Sequence, residues 1–341
     1  MLGTDRNAAR YTWTAALVLL LLVLVYEIRQ VLFLLIIAVL FAYLLFPLVN
    51  MLNRWLPGRS RTPALAMVFL VVMGLLTLGV VEFGSVAAEQ ATSLAARAPE
   101  LLKNLQKPAA VPVPAQAQPL KSQVIAQVQN AVRTHYGQVV GYLPHLLLNV
   151  LAYSTNLLYL VIVPILSFFL LKDAQEIHQS FMRVIPAEHS EKVEGFLQDV
   201  HLLLIQYVRA LFLLGLGTFV IFSIALSVMG VSYSVLLAVV AFPLEFVPLI
   251  GPLVAGGIIL VVAAATGYAH ILWVVLFLGI YRIFQDYVIS PRLMSSGVEV
   301  HPLLVILGVF AGERIGGVPG MFLAVLTIAL LRVAYRRVIP R

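Results

Sequence analysis

Two acids in this sequence stand where acids are costly. In AFPLEFVPLIGPLVAGG, residues 241–257, Glu245 lies among Pro243, Pro248 and Pro252. Residues 210–244 before it and 246–281 after it contain no Asp, Glu, Lys or Arg. In the second stretch, residues 301–331, Glu313 and Arg314 precede a break made of Gly316, Gly317, Pro319 and Gly320. A charged side chain at the centre of a bilayer costs about 2.5–3.5 kcal/mol on insertion scales. A carboxyl group kept there can bind a cation, carry a proton or hydrogen-bond a polar cargo. Prolines add to this chemistry by withholding N–H groups, and irregular backbone at membrane depth is tolerated only when buried in protein or lining a wet cavity. Pro248 and Pro252 are expected to interrupt the helix, and Pro248, Gly251, Pro252, Gly317 and Gly320 to shape backbone at the site.

The spacing sets both acids at similar depth. Ser234 to Glu245 and His301 to Glu313 span roughly 16 and 18 Å of helix, about half of a 30 Å hydrocarbon core. Three further polar positions belong with them. Arg209 follows Ile-Gln-Tyr inside an apolar run, and Gln285 and Asp286 precede Pro291 near the end of another. Arg209 is read either as a partner of Glu245 or as a side chain reaching the headgroups, since long basic chains snorkel. Arg282 is the other basic candidate for pairing with Glu245.

The elements that must hold these residues are membrane helices. Of 341 residues, 62% are hydrophobic and 11% charged, against about 25% charged in soluble domains. Apolar runs occur at 13–26, 31–49, 64–81, 146–171, 202–229, 233–266, 270–289 and 301–332. A span needs about 17–25 apolar residues, so the two longest runs are either broken spans or hairpins. The fold class is an all-α polytopic membrane protein with about eight membrane segments, the two long C-terminal ones broken or re-entrant. The N-terminal RNAARYTWTAALVLLLLVLVYEIRQ lacks a small-residue cleavage site and passes directly into the next run, so it reads as a retained first span.

Six regions follow: spans 1–3 over 1–83; an extracytoplasmic amphipathic region, 84–145, with the linker KPAAVPVPAQAQP between two helices; span 4, 146–171; a cytoplasmic amphipathic segment, 172–201; a transport core, 202–335; and a basic tail, 336–341. Arg54, Arg59 and Arg61 between spans, with Arg332, Arg336, Arg337 and Arg341 at the end, place those loops and both termini in the cytoplasm. Span plus broken segment then occurs twice in opposite orientation, the sequence pointer to a transporter's binding site.

The motifs QYVRA (206–210), LEFVPLIGP (244–252), YVISPRL (287–293), VEVHPLLVIL (298–307) and GGVPGMFLAV (316–325) occur in an order and spacing that resemble the autoinducer-2 exporter family, also called AI-2E or PerM-like. The resemblance implies a bacterial inner-membrane carrier, often homo-oligomeric, exporting a small polar signalling molecule, with coupling to protons or sodium in some relatives. Where the family often has Glu-Asn before the YVISP motif, this chain has Gln285-Asp286.

Other classes fit poorly. The net charge of +7 is spread over loops instead of being interleaved with stacking aromatics, so no nucleic-acid face is expected. The chain has no cysteine, no His-Glu-x-x-His, no P-loop and no Gly-x-Ser-x-Gly elbow, and it is read as neither an enzyme nor a cofactor or metal protein. GLGTF, residues 215–219, is read as helix-packing glycine. The expected partners are the lipid bilayer, a small polar substrate and further copies of the chain. Alternatives to export are a cation–proton antiporter using Glu245 and Asp286, and a membrane scaffold whose 84–145 region binds partners.

Overall fold

A computed structural model describes residues 6–56, 61–106, 157–293 and 301–338. These residues form helices α1 (Arg6–Glu27), α2 (Arg29–Trp55), α3 (Thr62–Gln106), α4 (Leu157–Lys172), α5 (Ala174–Val184) and α6 (Ala187–Val228). After them come α7 (Ser234–Leu244), α8 (Ile250–Ala265) and α9 (Ile271–Phe284), the last running through a π turn at Gln285–Ile289 into α10 (Ser290–Leu293). Helix α11 (Pro302–Val338) is broken at Gly316 and Gly317, whose backbones are not helical. Among the described residues, six helices are long and apolar enough to cross a membrane, with shorter apolar helices at 161–172, 234–244 and 250–265. The described residues are all-helical, and the protein is a multi-pass membrane protein.

Two boundaries differ from expectation. Helix α3 passes straight through Gly84 to Gln106, so the first helix of the 84–145 region is the continuation of a span. Ala-rich helix formers fill 86–97, and nothing in that stretch breaks the backbone. Similarly, α6 begins at Ala187 and carries the amphipathic 187–201 segment directly into the apolar one. The proline linker, the expected helix around 124–139 and the start of the fourth span lie outside the described residues.

Among the described residues, three large packed regions and one small one hold the bundle. In the first, Ala42, Leu45 and Val49 of α2 meet Leu65, Val68 and Phe69 of α3 and Leu171 of α4. Nearby, the buried Ser167 hydroxyl donates to the Ala38 carbonyl at 2.7 Å. In the second, Leu203, Leu204, Tyr207 and Leu211 of α6 meet Leu40 of α2 and Val325, Leu326 and Ala329 of α11. The third joins α7 and α8 to Ala87, Ala91 and Leu94 of α3, Phe222 and Leu226 of α6, and Val274 and Tyr281 of α9.

Helices α7 and α8 are a connected pair. At the base of the pair, the Tyr268 hydroxyl, just beyond α8, donates to the Met229 carbonyl at 2.7 Å. The hydroxyls of Ser227 and Ser234 lie 2.8 Å apart. Leu236 N–H in the first turn of α7 donates to Gln90 Oε1 of α3 at 2.9 Å, giving an otherwise unpaired helix-end donor its acceptor. The two halves of α11 also lie against each other. A methyl group on Gly312 would strike the Gly320 carbonyl, one on Gly320 would strike that of Gly312, and one on Gly308 would strike Ile328. Small residues allow this approach because, in lipid, close van der Waals contact replaces the hydrophobic drive between helices.

Candidate functional site

Glu245 ends α7 and is buried, with 8% of its surface exposed. Its Oε1 accepts from Gln285 Nε2 at 2.8 Å and from Thr218 Oγ1 at 3.2 Å. Thr218 Oγ1 lies 2.7 Å from Tyr281 Oη. Because the Thr218 proton is directed to Glu245, Tyr281 is the donor in that second bond. Three elements therefore converge: Thr218 from the middle of α6, Glu245 from the end of α7, and Tyr281 with Gln285 from α9 and its π turn. Tyr281 and Gln285 are four residues apart, the spacing that stacks two side chains on one helix face. Phe222 and Phe277 pack on the Tyr281 ring at centroid distances of 5.0 and 6.2 Å, closing the site with apolar groups.

The backbone after Glu245 is irregular. Phe246 N–H bonds to the Pro243 carbonyl and Val247 N–H to that of Leu244, at 3.2 and 3.0 Å. At Leu249, φ is 70° and ψ is −53°, and the Ile250 N–H reaches the Pro248 carbonyl at 2.8 Å. This is a γ-turn of the rare, strained hand. A leucine at positive φ stores about 1–3 kcal/mol and persists only where its surroundings impose it. The imposition is visible two residues later, where a methyl on Gly251 would run into the Leu244 carbonyl. Pro248 lies in the turn. Pro252, expected to interrupt a helix, instead occupies the first turn of α8, where its missing N–H has no intrahelical partner to lose.

The break also packs onto α11. Val247 forms a buried cluster with Val309 and Ala324, one from each half of α11. The Phe246 ring meets Phe322 at 5.7 Å and Phe242 at 5.4 Å. The two broken segments are thus in direct contact.

The remaining expected residues are placed differently. Asp286 pairs with Arg282 at 2.8 Å, and both are partly exposed. Neither arginine expected near Glu245 forms an ion pair with it among the described residues: Arg282 is engaged by Asp286, and Arg209 is exposed, about 2.5 turns before Thr218. Glu313 and Arg314 are also exposed, Arg314 by 89%, and contact each other at 3.8 Å. Gly317 has φ of 60°, and Gly316 abuts the Phe33 ring of α2. With Gly320 against Gly312, the glycines of the second break shape its backbone.

The sequence reading missed Thr218 and Tyr281. Thr218 lies inside GLGTF, whose Gly215 does pack closely on Phe242, and its hydroxyl was a polar group within a long apolar run. Tyr281 was signalled only by its four-residue spacing from Gln285.

Residues 15–339 match the family described as AI-2E family transporter. YrrI of Bacillus subtilis, a transport protein by name, is 28% identical over 171 residues, covering 50% of this chain and 48% of that protein. The chain thus spans about half the length of YrrI. YueF of the same organism, also a transport protein by name, is 22% identical across 86% of this chain and 80% of its own length. PerM of Escherichia coli K12, a permease by name, is 26% identical across 87% of this chain and 84% of its own. The match over nearly the whole chain, together with a buried carboxyl site between packed membrane helices, leads to one assignment: the chain belongs to the AI-2E transporter family.

Proposed function

We propose that this protein is a secondary carrier that exports a small polar molecule from the bacterial cytoplasm across the inner membrane by alternating access. The observation carrying the proposal is Glu245, a buried carboxyl group with neutral hydrogen-bond partners, beside a strained turn that packs onto a second broken helix. Cargo recognition falls to Glu245, Gln285, Thr218 and Tyr281. The segments 234–265 and 302–338 are the moving parts and act as re-entrant hairpins. The link from Tyr268 to Met229 supports this by holding together the two ends of the first. Both termini lie in the cytoplasm in this reading, as the basic clusters favour.

The absence of an arginine or lysine bonded to Glu245 among the described residues favours a second reading, exchange of a cation against protons at the same carboxyl. Purified protein in vesicles separates the two. Efflux of a polar metabolite from loaded vesicles supports export, and sodium-driven proton flux without cargo supports exchange. Neither flux, under an imposed proton or sodium gradient, would contradict both. Hairpin geometry is tested by single cysteines at the exposed positions Ser232 and Ala269. Labelling from the same face is expected, and labelling from opposite faces would make 234–265 a full span.

A further inference from the structure

We infer that Glu245 is a proton-binding site, and that in this conformation its carboxyl is neutral and closes on Gln285 as an acid–amide pair. The inference deepens the transport reading by assigning a proton to the proposed site.

The first ground is the charge inventory. From α6 the site receives Thr218, and from α9 it receives Tyr281 and Gln285. Helices α7 and α8 contribute no Lys, Arg, Asp or further Glu, since 210–244 and 246–281 contain none. The nearby ions Arg282 and Asp286 are bound to each other at 2.8 Å, and Arg209 is exposed elsewhere on α6. From α11, Glu313 and Arg314 face outward at their own break. A carboxylate at Glu245 would be a buried charge bonded only to neutral groups, which a low-dielectric interior penalises strongly.

The second ground is independent. Gln285 is 2% exposed, and its Oε1 is buried with no hydrogen-bond partner among the described residues. The nitrogen of the same amide already donates to Glu245 Oε1 at 2.8 Å. Thr218 is also directed to Oε1, so both hydrogen bonds to the carboxyl end on that oxygen. One proton on Oε2 supplies the donor that Gln285 Oε1 lacks. The carboxyl then accepts at Oε1 and donates from Oε2 to Gln285 Oε1, so each planar group supplies one donor and one acceptor. As an anion, the carboxylate would offer the amide oxygen only another acceptor. Release of the proton to water requires the pair to part, and the strained turn at Leu249 lies four residues from the acid.

Infrared spectroscopy of the full chain in lipid nanodiscs at neutral pH, without cargo or gradient, tests this apart from transport. We expect a protonated-carboxyl band that shifts in heavy water, is absent in Glu245→Gln, moves in Gln285→Leu and is unchanged in Glu313→Gln. No band assignable to Glu245, or one that Gln285→Leu leaves in place, would overturn the inference. If Gln285→Leu does not fold, thermal unfolding of Glu245→Gln still decides. Its amide NH2 replaces the acid O–H toward Gln285, so it should melt like the wild type, and a large loss of stability would refute the pair. Because no flux is measured, failure of export would leave this result standing.

Discussion

The two broken segments share one sequence plan and house their acids differently. Each has an apolar half, an acid, a Gly/Pro break and a second apolar half. In the first, the acid is buried and hydrogen-bonded by two other helices, while the bend is forced through a leucine at positive φ. In the second, the acid and its neighbouring arginine are exposed, and the bend passes through Gly317, which adopts that conformation without steric cost. The first segment is tied at its base by hydrogen bonds that involve the side chains of Tyr268, Ser227 and Gln90, the last as acceptor. The second is held along its length by Gly308, Gly312 and Gly320. A shared plan therefore gives a buried, hydrogen-bonded acid to one segment and close glycine packing to the other.

The sharpest way to break this contrast is to neutralise each acid. Glu245→Gln should reduce flux at least about a hundredfold, equivalent to about 2.7 kcal/mol of barrier, while Glu313→Gln should stay within about twofold. Equal losses measured in the same vesicles would erase the distinction. Next in size, Gly312→Leu or Gly320→Leu should cost about 1–3 kcal/mol or more by overpacking. Gly257→Ala, which meets nothing within 4 Å, should cost little. Thermal unfolding in detergent reads both. A smaller effect of opposite sign is expected at the strained turn: Leu249→Gly should stabilise the chain by about 1 kcal/mol through relief of positive-φ strain, and should alter the transport rate. The smallest effect is expected at the exposed pair, where Arg314→Ala should change stability by less than about 0.5 kcal/mol.

Much of the membrane part was legible in the sequence because its period and its breakers are strong signals. Where they are described, the apolar runs became helices, Gly316 and Gly317 did break the last one, and the bend beside Glu245 lies among its prolines. Exposure at the second break was not legible. Depth counted along a helix gives Glu313 the same level as Glu245, but it does not say which way a side chain points once two arms pack through glycine. The partners of Glu245 were also hidden, because Thr218 and Tyr281 lie 27 and 36 positions from it and only tertiary packing brings them near. Composition marks a change of character at Gly84, but not that the helix continues through it to Gln106.

The claim beneath this account is that a carboxyl group stands halfway through the bilayer among neutral partners. Cryo-electron microscopy of the full chain in a lipid nanodisc tests it most directly. Glu245 is expected near mid-bilayer depth, within hydrogen-bond distance of Gln285 and Thr218. Density placing that side chain at the headgroup level, or bonded to an arginine in every captured conformation, would contradict it.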